Sequence, residues 1–344
     1  MLAVAVAVLV ALATGGGAHA SAPPPSGAPT LSGLPSVAAV ADRLHARAVQ
    51  ARARAVRRRH DPKPPTRPAA TVSLYESSTA PAVFRRQGCR AARRGATGVV
   101  ILDFGKPSYN GHTYGTILFS GAFAGNRTIT RAMLGYARGY VGCLPRGSSD
   151  DIALARGTSN YRPDVPSVYR AGRKWARETM ALERALRAAH LDRHVVSAAA
   201  DDVEPAWDPS FRQTHEFYRG YADSRVGHAL YNYGSLDGGI VSGSWNARQA
   251  FYVTSGMRYA RAIPEIYNRT MAQEWAALAQ VAEHRYHRPL RFAGIMTERT
   301  ASNHGVKPKD AQRMLVRELA IQGRGTAPAS VPAAYTNIRP NRGS

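Results

Sequence analysis

Two rhythms of apolar and polar positions alternate along this chain. Short runs of small, apolar and β-branched residues stop abruptly at an acid, a glycine or an aromatic residue. Between them lie longer stretches whose large apolar side chains recur every three to four residues, the spacing of one helix face. The strand-like runs are Thr97–Gly105, Asp151–Thr158, His194–Ala200, His228–Tyr233, Ala250–Thr254, Ala262–Tyr267 and Leu290–Glu298, with Thr71–Tyr75 a weaker run suited to a sheet edge. Helical spacing covers Thr128–Tyr140, Val165–Ala189, Thr270–Tyr286 and Pro308–Ile321. A further helix is opened by Asp208-Pro209-Ser210, with the acid as its cap, and a short one runs from Trp245 to Gln249. Gly105–Asn126 is rich in glycine and aromatics and reads as a long loop with a hairpin around Thr116–Phe119.

Strand and helix alternation predicts a parallel sheet covered by helices. Eight strands close such a sheet into a ring, so the expected fold class is α/β, a (β/α)8-like (TIM-type) barrel, irregular or incomplete, behind a disordered N-terminal leader. The alternative is an open doubly wound sheet. No G-x-G-x-x-G follows a strand and no P-loop lysine motif is present, which argues against nucleotide binding.

The expected divisions are 1–20, 21–69, 70–325 and 326–344. Leu2–Ala13 is an unbroken apolar run, too short for a comfortable membrane span, and Ala18-His19-Ala20 supplies a small-x-small cleavage pattern: a secretory signal peptide, although no Lys or Arg precedes the run. Residues 21–69 are first Pro/Ala/Ser/Gly-rich and then basic, and read as a linker or disordered arm. The last segment reads as a flexible tail. The expectation is a secreted or wall-associated protein with no transmembrane segment after signal cleavage.

Net charge is +23, of which residues 42–67 hold +7. The remainder is spread widely, mostly as arginine. Such a balance suits an anionic polymer or surface, met through the basic arm, or simply a solvated surface. No zinc-finger spacing, RNA-recognition signature or heptad-bearing basic helix accompanies it, so no specific nucleic-acid partner is expected. Cys89 and Cys143 are the only cysteines, and in an exported chain they are expected to form a disulfide; a catalytic cysteine is the lesser reading. Asn126-Arg-Thr and Asn268-Arg-Thr match glycosylation sequons.

In parallel α/β folds the site lies outside the carboxyl ends of the strands. Sorting the chain by that rule brings together Asp103, Asn160, Tyr161, Asp201, Asp202, Glu204, Tyr231, Tyr233, Asp237, Glu265, Tyr267 and Glu298. One acid after a strand is often a helix cap, the role expected of Asp208. Recurrent acids and aromatics suit glycoside hydrolysis, in which one carboxyl protonates the leaving oxygen and a second acts as nucleophile or base. Residues i and i+2 of a strand share a side, so Asp202 and Glu204 face one way and Asp201 the other. Glu204 is the candidate general acid, Asp202 a stabilising partner and Asp103 a second carboxylate. Tyr231, Tyr233, Trp207, Asp237, Glu265 and Trp245 are candidate substrate contacts. The competing readings are acids held in arginine pairs, or a metal site drawing on His112 or His228. No metal set has recognisable spacing, and no cofactor is implied.

The run Val99-Val-Ile-Leu-Asp103-Phe-Gly105, with Asp202-Val-Glu204 at a later strand end, resembles the glycoside-hydrolase-like (β/α) barrels of secreted actinobacterial proteins and, more distantly, the lysozyme-type family 25 glycoside hydrolases. That resemblance implies a mouth lined by Asp103, Asp202 and Glu204, with the Glu as general acid and a cell-wall glycan or other polysaccharide as substrate. The loop after Asp103 departs from the family's Ser-x-x-Gln-Gly continuation, and Arg156-Gly-Thr-Ser-Asn160 stands where the family has a Thr-Glu-Gly-like segment. A non-catalytic exported barrel that binds wall glycan or another anionic polymer is the second expectation.

Overall fold

In a computed structural model of the protein, the described residues are 69–236, 244–299, 305–322 and 330–341. All of them belong to one compact unit that spans residues 52–344. The signal peptide and nearly all of the predicted linker and basic arm fall outside the described residues, as does Asp237.

The main sheet is built from β1 (Ala69–Tyr75), β2 (Gly98–Asp103), β6 (Ile152–Ser159), β7 (Val195–Asp202), β8 (Leu230–Asn232), β9 (Ala260–Ala262), β10 (Ile295–Thr297) and β11 (Ala334–Pro340). Neighbours in the sheet are neighbours in this order, every pairing is parallel, and β11 pairs with β1 from Ala69↔Ala334 to Tyr75↔Pro340. Parallel bridges Ala262↔Phe292 and Glu265↔Met296 join the remaining two edges. They are reinforced by backbone bonds from Ala293 N to Ala262 O (2.7 Å) and from Met296 N to Pro264 O (2.8 Å). Eight strands therefore run round a ring in chain order, a TIM-like arrangement.

Helices return the chain from one strand to the next: α1 (Pro81–Arg93), α2 (Asn126–Gly142), α3 (Val168–Ala188), α4 (Arg212–Asp223), the short α5 (Ala247–Phe251), α6 (Arg269–Tyr286) and α7 (Pro308–Gln322). A small antiparallel sheet of β3 (Lys106–Tyr109), β4 (Tyr114–Ile117) and β5 (Phe123–Gly125) fills the loop after β2, where the hairpin was expected.

Three expectations are corrected here. Ala250–Thr254 is not a strand: it continues α5 into a π-helical turn, Tyr252–Gly256, whose Thr254 hydroxyl bonds back to the Ala250 carbonyl. Its apolar run packs against helices as well as it would have packed in a sheet, and periodicity does not separate the two in so short a stretch. The missing strand is β11, read from the sequence as part of a loose tail. Nor is β1 an edge, because β11 and β2 flank it on both sides.

The ring is filled by complementary sizes. Ala153 and Ala155 on β6 and Ala198 and Ala200 on β7 leave room for Tyr231 and Tyr233 from β8, with Ile101, Ile263, Met296 and Ile338 completing the cluster. On the outside, α1 and α2 lie unusually close. A Cβ added at Gly88 would sit 2.0 Å from the Tyr136 carbonyl oxygen, and one at Gly139 only 1.9 Å from that of Arg85. Glycine is required there for backbone approach. The expected disulfide Cys89–Cys143 ties the same pair together. Closing a loop of that length removes about 4 kcal/mol of unfolded-chain entropy in the loop model. Between β6, α2 and α3, the buried Arg156 guanidinium stacks 4.2 Å over Trp175 and bonds Asn126 Oδ1 (2.8 Å) and Thr130 Oγ1 (3.0 Å). Asn126, one of the two sequon asparagines, is thereby committed to the interior.

Candidate active site

Because side chains alternate along a strand, the last inward-facing residue of each strand lies at the carboxyl mouth of the ring. Those residues are Tyr75 on β1, Asp103 on β2 and Asp202 on β7, followed by Tyr233 just past β8, Glu265 past β9 and Glu298 past β10. Burial and repulsion from Asp202, Glu265, Glu298 and Asp103 push the Tyr75 phenol far up, so Tyr75 stands among four carboxylates. The fifth acid, Glu204, repels Asp202.

Asp202 is only 7% exposed, and its Oδ1 meets no donor among the described residues. Burial, then the charges of Glu265, Glu204, Asp103 and Asp201, hold its carboxyl well above the usual range. Glu204 is half-buried, and its backbone is clamped by one side chain: Asn160 Oδ1 accepts from Glu204 N (3.1 Å) while Asn160 Nδ2 donates to Glu204 O (3.0 Å). Asn160 N also donates to Asp202 O (3.1 Å), so the end of β6 fixes both acids. Ser235 Oγ approaches Glu204 Oε1 at 3.4 Å.

Across the mouth, the Tyr267 hydroxyl donates to Glu265 and lies 3.2 Å from Glu298 Oε2. One phenol oxygen thus links two carboxylates, whose nearest oxygens are at most about 6 Å apart. Asp103 is 1% exposed and accepts from the Gly105 amide (2.7 Å). Burial pushes it up to about 6, against the hydrogen bonds from Gly105 and the Tyr233 hydroxyl. It forms the floor of the mouth.

The other predicted residues separate. Trp207 is half-buried at the rim, edge-on to the exposed Tyr161 with ring centroids 5.5 Å apart. Tyr231 is core, inside the ring below the mouth, and Tyr233 is fully buried beside Asp103. Trp245 is 3% exposed and faces away: its indole N–H donates to Asp208 O (2.6 Å) and its ring packs on Phe211. It is not a sugar platform, because its edge is committed to anchoring a loop. Asp201 points outward as expected; burial and Asp103 hold its carboxyl well above the usual range. Asp208 caps α4 from outside, accepting from the Thr214 amide (2.8 Å) and hydroxyl (3.0 Å). Of the possible metal histidines, buried His228 pairs with Glu183 (2.7 Å) and His112 is exposed on the hairpin; no metal-ligating group occurs among the described residues.

Tyr75 is the mouth residue that sequence reasoning missed. The available signal was its place at the end of Thr71–Tyr75, discounted because that run was taken for an edge. The Asn160 clamp joins residues 44 apart in the chain and has no local signature.

No family model matches the chain, and no curated protein matches it. Among solved structures it is similar to a protein described as a mandelate racemase/muconate lactonizing enzyme from Labrenzia alexandrii. The identity is 12% and the TM-score 0.29, over 79% of this chain and 55% of that one. The chain thus spans little more than half of that protein's length, and a likeness of this degree carries no functional argument.

Proposed function

We propose that this protein is a glycoside hydrolase, exported from the cell, that cleaves a cell-wall glycan or other polysaccharide with the carboxylates of the barrel mouth. The observation that carries the reading is the convergence of Asp202, Glu204, Glu265 and Glu298 on one mouth, with Asp202 buried among acids that push its carboxyl up and the Glu204 backbone held beside it by Asn160. Glu204 is the general acid that protonates the leaving oxygen. Asp202 lies behind it, its own carboxyl pushed up by burial and by the neighbouring acids, Glu204 among them. The Glu265–Tyr267–Glu298 group supplies the second carboxylate, which meets the anomeric carbon directly or through water. Asp103, on the floor, holds Tyr233 in place. Tyr161 and Trp207 offer ring faces at the rim for sugar stacking. The Cys89–Cys143 disulfide supports export, since such bonds persist in oxidising compartments.

The test is release of reducing ends from peptidoglycan and a polysaccharide panel by wild type, Glu204→Gln and Glu265→Gln. Activity in wild type and its loss in both variants is expected. Equal activity in Glu204→Gln removes Glu204 from the mechanism. The burial of Asp103, Asp201 and Asp202 favours a second reading, a barrel that binds glycan without cleaving it. Saturable glycan binding by a wild type that releases no ends is its signature.

A further inference from the structure

The outer face of the ring is not covered evenly. On β2, β6 and β7 the outward residues, such as Val100, Leu102, Leu154 and Ala199, are fully buried under helices. On β1 and β11, Ala70 is exposed, while Val72, Tyr335, Asn337 and Arg339 are half-buried. Beside this seam lies a cavity of about 500 Å³, walled by Val72, Leu74 and Ala91 and edged by Arg90, Arg94 and Arg339. Gln87 and Asn341 also line it.

None of the three arginines forms an ion pair among the described residues. Burial, Arg94 and Arg90 push the Arg339 guanidinium down, as expected of like charges brought together. Glu76, bonded to two of the lining residues, forms no ion pair with the three arginines among the described residues. It is fully buried, is pushed up to about 8 mainly by burial, and is engaged by Gln87 Nε2 (3.3 Å) and Asn341 Nδ2 (2.9 Å). With the Gln87 amide nitrogen donating to Glu76, the Gln87 Oε1 is left buried without a donor among the described residues.

We infer that the β11–β1 seam is a binding site for a small hydroxyl-bearing anion, a phosphate monoester or carboxylate carried on a polyol or sugar. Arg90, Arg94 and Arg339 take the anionic group, for which guanidinium forks are suited. Gln87 accepts from a hydroxyl, and the body rests on Val72, Leu74 and Ala91. The volume is that of a small-molecule pocket.

The experiment is calorimetric titration of the full-length protein with glycerol 3-phosphate, inorganic phosphate and glycerol. Glycerol 3-phosphate is expected to bind saturably at one site and more tightly than inorganic phosphate. Arg94→Gln and Arg339→Gln should each weaken it at least tenfold, while Arg184→Gln, an exposed arginine elsewhere, changes it less than twofold. Gln87→Leu should weaken glycerol 3-phosphate and leave inorganic phosphate unchanged. Melting curves of the variants confirm that each is folded. The site is overturned if nothing binds saturably, or if Arg184→Gln weakens binding as much as Arg94→Gln, which marks diffuse charge. Equal affinity for glycerol 3-phosphate and inorganic phosphate overturns the hydroxyl-bearing class.

Discussion

The barrel mouth and the β11–β1 seam are opposites built by one ring. The mouth gathers five carboxylates from strand ends inside the barrel, in a chain of net charge +23. The seam gathers three arginines outside the same sheet, Arg339 from β11 and Arg90 and Arg94 from the end of α1. Charge in this molecule is sorted between the inside and the outside of the ring, which total composition does not reveal. At the mouth, burial and the surrounding acids raise the affinity of Asp202 for a proton, a setting for proton transfer. At the seam, three guanidinium groups edge one cavity, a setting for holding an anion.

The strongest way to break this contrast is to cross the readouts. Glu204→Gln should lower glycan hydrolysis by about three orders of magnitude, roughly 4 kcal/mol of transition-state stabilisation, with glycerol 3-phosphate binding intact. Arg339→Gln should do the reverse. A variant of one region that disables both would merge them into one site.

The next effect concerns the helix pair that carries Arg90 and Arg94. Replacing Cys89 and Cys143 by serine should cost about 2–4 kcal/mol of stability, read by denaturant unfolding. Seam binding should weaken at temperatures where hydrolysis persists. Unchanged unfolding midpoints would deny the disulfide its bracing role.

A third test uses pH. Burial raises Asp103 to about 6 and Glu76 to about 8, and lifts Asp201 and Asp202 as well. A carboxyl raised in the folded state binds more protons folded than unfolded. Its stabilising contribution is therefore full below about pH 4 and is lost as pH climbs through the folded value. Melting temperature should fall between pH 5 and 8. Asp201→Asn should flatten that slope and add about 1–2 kcal/mol at pH 8. A melting temperature that rises over this interval contradicts the assignment. The smallest effect belongs to the rim: Trp207→Ala should raise KM severalfold, about 1 kcal/mol, and spare kcat, if stacking there is uniform binding.

Much of this arrangement was legible in the chain. Asp103, Asp202, Glu265 and Glu298 were placed at one mouth because each follows a short apolar run, and parity alone separated Asp201 from Asp202. The long helices α2, α3, α6 and α7 appear within a few residues of their predicted spans. Helix α1 went unread because its buried face is Phe84, Gly88 and Ala92, and two of those three side chains are small or absent. Strand β11 went unread because Ile338 is the one large apolar residue on its inward side, beside Ala334, Thr336 and Pro340, and its outward side is the polar, half-covered seam. Trp245 misled because a tryptophan near a strand end satisfies a loop carbonyl as readily as it stacks on a sugar.

The lateness of β11 also shapes how the chain folds. Strand β1 has its second neighbour only when residues 334–340 arrive, some 260 residues after β1 is made. Until then its edge is a bare row of amides and carbonyls, open to pairing with another chain. Loop closure over that distance is slow, and parallel strands cannot shorten it with a hairpin. The ring is completed by its last strand, so a chain cut short before residue 334 keeps every acid of the mouth yet exposes two sheet edges to aggregation.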